Sequence, residues 1–529
     1  MSHSDLFPPA STAAAQRPTR RRLLIAVVSL LPCALTASTL LPAPASAAPR
    51  HSTPPAAVIP ADCGPGSTPV VGLQGDVPAA DRASGRSRRG YACNVSLVSS
   101  YAGHGGGIVS TSFDDCGYMG SVFPGSAVAR DPGVEVIDAA NPSRLRKSAT
   151  LSAPAMAAGT WETLKVNSAR KLLVAAGVPF LFGAGLLSVY DVSDCARPRL
   201  LNKTIGTAEA PLPITAHEGG FSPDGKTYWT SGMGPGLLSA VDLTDPTRPR
   251  VVWQGLTGLE AHGFGIDRTG STLYLSHNFG GISVYDIRQV TQRKPNPRVP
   301  LLSKLTWDDA GWATQHSVPV QYGDRTVLFT PTEGGSGGVK VIDATDPRKP
   351  RLVNTLKLAI NLPENQDRLV ASGSGGGIFA YESHYCAADR PVNPTALACG
   401  WTTSGVRVFD IRDPLQVKEI AYYLPPVRPT DPLTSWNSPL VMSAVIGVPI
   451  LSAPSILDGL RRGQFDPVQA QSRRNGIVLA DQTTDACFSP PEWRGNRLYV
   501  SCSNSGFQVI ELSNRVYRAP ADQQSTVGS

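Results

Sequence analysis

The chain is predicted to be all-β: a seven-bladed β-propeller of four-stranded antiparallel blades, its ring closed by an N-terminal strand. One observation dominates. An apolar, β-branched stretch ending in an acid, usually followed by a polar turn with proline, recurs seven times. The copies are VEVIDAANP at Val134, LSVYDVSDC at Leu187, LSAVDLTDP at Leu238, ISVYDIRQV at Ile282, VKVIDATDP at Val339, VRVFDIRDP at Val406 and FQVIELSNR at Phe507. The second observation is spacing. The first five steps between the acids are 53, 51, 44, 57 and 67 residues, and the last is 101. A strand-built period near 50 residues marks a propeller or a similar β-array. The third is composition: 51 glycines and 47 prolines with only 17% charged residues fit many tight turns between strands.

Taken in order, residues 1–47 read as an export signal. Thr19-Arg20-Arg21-Arg22-Leu23-Leu24 precedes an apolar stretch, and Ala45-Ser46-Ala47 supplies small-x-small cleavage chemistry. The Arg20-Arg21 pair resembles a twin-arginine signal; the alternative is a general secretory signal with an arginine-rich start. Pro32 interrupts the apolar run, so no transmembrane span is expected in the mature chain. The formal charge of +7 includes +3 from this segment. The remainder has no basic run with interleaved aromatics, which disfavours nucleic acid as a partner.

Residues 48–68, rich in Pro, Ala, Ser and Gly, read as a flexible leader. The propeller is expected over 69–520, with Pro69–Leu73 as the strand that pairs beside Phe507–Leu512 and closes the ring. The third unit shows the plan: a strand opened by His217, a turn at Ser222-Pro223-Asp224-Gly225, a second strand at Lys226–Ser231, a third at Leu238–Asp242 and a fourth at Pro249–Gln254. The fourth unit repeats it from His262 to Leu305. Such four-strand sets with turn residues between them are antiparallel blades. The repeated acid ends the third strand, where its carboxylate can accept backbone N–H groups of the next turn. Residues 424–480 break the rhythm and read as an insertion between blades six and seven. Residues 521–529 read as a disordered tail.

Nine cysteines occur, one of them, Cys33, inside the signal. The other eight form an even set without Cys-x-x-Cys, which favours disulfides in an exported chain. Short loops point to Cys93–Cys116, Cys386–Cys399 and Cys487–Cys502, leaving Cys63 and Cys195 to each other.

The motif Leu/Val/Ile-x-Val-Ile/Tyr-Asp-x-x-Asp-Pro, preceded by a His-led strand pair, resembles the LVIVD repeat over roughly Val70 to Leu512. That resemblance implies an exported β-propeller from a family of mostly unassigned function. Unit seven departs from the pattern, with Glu511 for aspartate and no Asp-Pro after it.

The chemistry-bearing residues are histidines. His217 precedes its unit's acid by 25 residues, His262 by 24 and His316 by 27. Each opens an innermost strand, so the three should converge at one mouth of the channel. In the preceding unit the matching position holds Trp161-Glu162. Glu218 and His384 are peripheral candidates. Three imidazoles and a carboxylate suit a single copper, zinc or iron ion with one position left open. The alternatives are histidines that hydrogen-bond a neighbouring blade's backbone, or a metal-free ligand site. Gly103-His104-Gly105-Gly106-Gly107 lacks a phosphate-loop lysine, and no His-Glu-x-x-His occurs.

Two function classes follow. The first is a secreted or cell-surface monomer that binds a protein or small-molecule ligand at the channel mouth, without catalysis. The second is a metal-dependent oxidoreductase or hydrolase built on the histidines. Propellers similar to selenium-binding proteins also place histidines along the axis.

Overall fold

The structure is a computed structural model. It describes residues 56–520 except 124, 180–184, 234–235, 258–260, 279, 308–312, 335–336, 373–378, 428–435 and 440–482. Residues 1–47, read as an export signal, most of 424–480, read as an insertion, and 521–529, read as a tail, therefore lie outside the described residues. No helix among the described residues is long and apolar enough to cross a membrane.

Seven antiparallel blades form the ring. Blade one runs Ser110–Phe113, Cys116–Met119, Val134–Asp138 and Arg146–Leu151. Blade two opens at Lys165–Asn167, blade three at Glu218–Phe221, blade four at Phe264–Ile266, blade five at Val318–Tyr322, blade six at Tyr385–Ala388 and blade seven at Glu492–Arg494. These opening strands are the innermost ones and lie side by side around the ring. The third strands are apolar along their length because both faces of a blade pack on neighbours. Trp229, Leu238 and Ala240 of blade three interlock with Phe264, Leu273 and Leu275 of blade four. Ile282 and Val284 of blade four meet Leu328 and Ile342 of blade five, and Met119 and Ile137 of blade one meet Phe507 and Val509 of blade seven.

The repeated acids behave as their position demands. Asp138, Asp191, Asp242, Asp286, Asp343 and Asp410 each accept the backbone N–H two residues on, at 2.9 to 3.1 Å. Each second carboxylate oxygen takes an arginine. In four blades that arginine starts the fourth strand: Arg146, Arg199, Arg250 and Arg351, eight residues after the acid and directly opposite it in register. Register explains the spacing, since the antiparallel return brings residue eight back beside the acid.

An N-terminal strand does close the ring, but it is not Pro69–Leu73. Val95–Tyr101 supplies the outer strand of blade seven, pairing with Gly506–Leu512 from Val95↔Leu512 to Tyr101↔Phe507. Pro69 lacks an N–H for such a ladder. Its neighbour Val70 instead donates its N–H to the Tyr422 hydroxyl at 2.9 Å, outside blade six. Tyr91–Cys93 adds a fifth strand to that blade, against Lys418–Leu424. Residues 56–68, read from composition as leader, run along the same edge. Ile59 bridges Lys418, Thr68 bridges Ala92, and Cys63 bonds Cys93.

That contact changes the disulfide assignment. Cys386–Cys399 and Cys487–Cys502 pair as the short loops imply, the former directly opposite each other in adjacent strands. Cys93–Cys116 and Cys63–Cys195 do not form. Cys93 sits at the outer edge of blade six and takes Cys63, whereas Cys116 faces blade two and takes Cys195, with Cα atoms 5.8 Å apart. Chain separation misleads here because consecutive cysteines belong to different blades.

Candidate metal centre

The axis is filled at one level by side chains from five blades. In an antiparallel blade the start of the first strand and the end of the second lie at the same rim. Residues just before the first strands and just after the second strands therefore share one face of the ring. Glu162 lies three residues before blade two's first strand. His217 precedes blade three, His262 blade four, Gln315 and His316 blade five, and Glu382 and His384 blade six. Glu333 follows blade five's second strand, Arg325–Thr330, where Thr332–Glu333 pairs with Ala313–Thr314. None of these side chains belongs to a residue more than 7% exposed. Backbone contacts lock the frame. Glu162 bridges Glu218 between blades two and three, and the Gly263 N–H donates to the Gln315 carbonyl between blades four and five at 3.0 Å. Gly263 has no room for a side chain: a Cβ there would meet Glu218 Oε2 at 1.8 Å and the Gln315 oxygen at 2.4 Å.

Two donor groups result, sharing one residue. Glu162, His217 and His262 offer ligand atoms all within 4.8 Å of one another, and so do Glu162, Glu333 and His384. His217 Nε2 is 3.3 Å from Glu162 Oε2, and its ring lies 4.6 Å from that of His262. His262 Nε2 is 2.6 Å from Glu333 Oε2. His384 Nε2 lies 3.3 Å from Glu162 Oε1, 3.8 Å from Glu333 Oε1 and 3.7 Å from Glu382 Oε1. The far nitrogens are anchored on main chain. His262 Nδ1 lies 3.0 Å from the Gln315 carbonyl and His384 Nδ1 3.2 Å from the Phe488 carbonyl. With Nδ1–H donating to a carbonyl, each Nε2 is left to face the cluster, which is how ligating histidines are usually oriented. Gln315 Nε2 donates to Glu162 Oε1 at 2.7 Å. The Gly334 N–H donates to Glu382 Oε2 at 2.5 Å, while Glu382 Oε1 makes no hydrogen bond among the described residues.

The electrostatics are those of a buried charge network. Burial works against the Glu162 carboxylate, but His217, His384 and His262 overcome it and pull the group down to about 2. Burial likewise opposes the Glu333 carboxylate, and His262 prevails to hold it well below the usual range. Burial disfavours a charged His262, yet Glu333 lifts it to about 9. Against the same penalty, Glu382, Glu162 and Glu333 keep His384 well above its ordinary value. Burial pushes His217 down to about 4 and, with Lys165 adding to it, His316 to about 3. It raises Glu218 to about 8 and holds Glu382 well up. Without a metal, two carboxylates thus balance two imidazolium ions. A bound ion would displace those protons.

Of the sequence candidates, the structure brings Glu162, His217 and His262 together. His316 joins neither donor group: its ring stacks on Tyr385 at 4.4 Å and its Nε2 lies 3.4 Å from the Cys386 carbonyl. Glu218 flanks the cluster beside Gly263 and Tyr385. His384, expected at the periphery, is central. Its signal was present in the sequence, because it precedes Asp410 by 26 residues, within the 24 to 27 spanned by the other three. Glu333 and Glu382 were missed. Glu333 reaches the site only through the hairpin that returns to the rim, and Glu382 sits two residues before His384, which the sequence places at the periphery.

No protein-family model matches the chain, and no curated protein matches it. Solved structures with a similar course include a computationally designed protein, Ika8, at 10% identity and TM-score 0.38, covering 77% of this chain and 83% of that one. Raptor from Chaetomium thermophilum is 13% identical with a TM-score of 0.46, and the match covers 84% of this chain but 31% of Raptor. Sqt1 from Saccharomyces cerevisiae is 9% identical with a TM-score of 0.33, covering 49% and 60% respectively. None of these likenesses bears on the chemistry of the site.

Proposed function

We propose that this chain is an exported LVIVD-repeat propeller that binds a transition metal on its axis through Glu162, His217 and His262, and that it acts as a metal-dependent oxidoreductase or hydrolase. The observation that carries the reading is the buried donor set of two imidazoles and a carboxylate, within 4.8 Å of one another, with His262 oriented by the Gln315 carbonyl. Imidazole and carboxylate together suit copper, zinc or iron. Three protein ligands leave a position for water or substrate, as catalytic sites require. Export is supported by four disulfides, which persist in oxidising compartments, and by the arginine-led apolar N-terminus. The repeat reading is supported by the seven recurring motifs.

A ligand- or partner-binding scaffold at the channel mouth is the second reading. The His262–Glu333 contact at 2.6 Å favours it, since that pair satisfies both groups without a metal. Elemental analysis of untagged protein from metal-replete medium separates the two. One or more copper, zinc or iron ions per chain, lost in His262→Ala, supports the metal reading. Metal-free wild-type protein supports the scaffold.

A further inference from the structure

Glu162 and Glu333 each present their two oxygens to different histidines. Glu162 Oε2 faces His217 while Oε1 faces His384, each at 3.3 Å. Glu333 Oε2 faces His262 while Oε1 faces His384, at 2.6 and 3.8 Å. A carboxylate between two donor groups is the usual bridge between two metal ions. We infer that the axial centre is dinuclear, with a second divalent ion held by His384 and Glu382 and joined to the first through Glu162 and Glu333. The inference rests on the metal reading above and adds to it a position that His217 and His262 do not reach.

The donor separations fit. Ligands about 2.0–2.2 Å from an ion stand roughly 3–3.5 Å apart around it, near the 3.3 to 3.8 Å from His384 to its three carboxylates. The His262–Glu333 pair is tighter and would open to admit the first ion. Glu382 supplies an independent sign. It is fully buried, the Gly334 N–H fixes its Oε2, and its Oε1 is left toward His384 with no hydrogen-bond donor among the described residues. The set holds as many carboxylates as imidazoles and no thiolate, which favours iron or manganese over copper(I). Two ions bridged in this way would sit about 3.5–4 Å apart, the spacing at which a pair can act on one substrate oxygen.

The test loads the untagged mature chain with Mn(II) and reads stoichiometry by elemental analysis and coupling by electron paramagnetic resonance. Two ions per chain with an exchange-coupled spectrum are expected in wild type. Glu382→Gln and His384→Ala should each drop to one ion with an uncoupled spectrum. Glu382→Gln is nearly isosteric, so it keeps the test open if His384→Ala fails to fold. A single uncoupled ion in wild type, unaffected by Glu382→Gln, overturns the second position and leaves the proposed function standing. Wild type that binds no manganese, zinc, iron or copper overturns both.

Discussion

Glu162 and His384 meet at 3.3 Å, although one opens blade two and the other blade six. A contact between non-adjacent blades exists only when the ring is closed. No blade supplies more than two of the donors, so the centre is a product of the whole propeller rather than of any repeat. Site and ring should therefore be linked energetically. Whatever loosens the closure will loosen the donors, and whatever leaves a donor charge unpaired will strain the ring.

The first prediction follows from that link. In metal-free protein, Glu162→Leu removes the carboxylate shared by His217 and His384, and leaves a buried imidazolium without one of its counter-charges. Removing one partner of a buried pair typically costs about 3–5 kcal/mol. Denaturant melts should show a loss of that order for Glu162→Leu. Glu162→Gln should lose less, since it still offers an oxygen to the Gln315 amide. Equal stability of all three proteins would mean that the network contributes nothing to folding.

The fold was legible because its signal is local and repeated: an apolar run, an acid, a turn. Each copy confirms the others, and the same local hydrogen bonds recur around the ring. The closing strand was not legible. Pro69–Leu73 reads as the closing strand, whereas Val95–Tyr101 is the one that finds the free edge of Gly506–Leu512, and a sequence does not show which segment reaches that edge. Likewise Cys93 and Cys116 are close in sequence but face different neighbours. Within the site, the offsets of His217 and His262 from Asp242 and Asp286 were readable. The offset of His384 was there too, hidden by its placement next to Cys386. Glu333 was beyond a strand-by-strand reading, because its position depends on a hairpin returning to the rim that His316 starts from.

Ring closure gives the second prediction. A chain beginning at Asn94 loses the Cys63–Cys93 bond and the fifth strand of blade six but keeps Val95–Tyr101. It should still unfold cooperatively, at a lower temperature. A chain beginning at Gly103 loses the outer strand of blade seven, exposes an unpaired edge and should not give a cooperative transition. Calorimetry of the two truncations checks this. Identical transitions would show that the closing strand is dispensable.

The third prediction concerns acid. The backbone N–H of Ala140 and then Arg146 hold Asp138 below the ordinary aspartate range. In Asp343 burial opposes the charge, but Thr345 and Arg351 outweigh it and the group is also depressed. Asp191, Asp242, Asp286 and Asp410 shift the same way. A carboxyl whose pKa is lower folded than unfolded leaves the unfolded chain holding more protons between the two values. Stability then rises with pH across that interval. The contribution is full above the unfolded value of about 3.9 and is lost as pH falls through the folded value. The stability gap between wild type and Asp343→Asn should accordingly be constant from pH 7 to about 5 and shrink below about 4. Urea melts at a series of pH values read it directly, and a gap that widens in acid would contradict the assignment.

The last prediction separates the histidines that look alike in sequence. His217, His262, His316 and His384 all open innermost strands, yet their rings meet different surroundings. His262 and His384 are anchored through Nδ1 on carbonyls, with Nε2 toward Glu333 and Glu162. His316 turns between blades five and six, stacked on Tyr385, with its Nε2 toward the Cys386 carbonyl. Truncating it removes a ring–ring contact and leaves a cavity, at a cost of roughly 1–3 kcal/mol, but takes no donor from either group. His316→Ala should therefore melt earlier than wild type and retain its full complement of metal. His262→Ala should lose the metal held through Glu162, His217 and His262. Elemental analysis of the two variants beside wild type decides the matter. If His316→Ala were the one to lose metal while His262→Ala kept it, the ion would lie at the blade five–six interface, and the donor set assigned to the axis would be wrong.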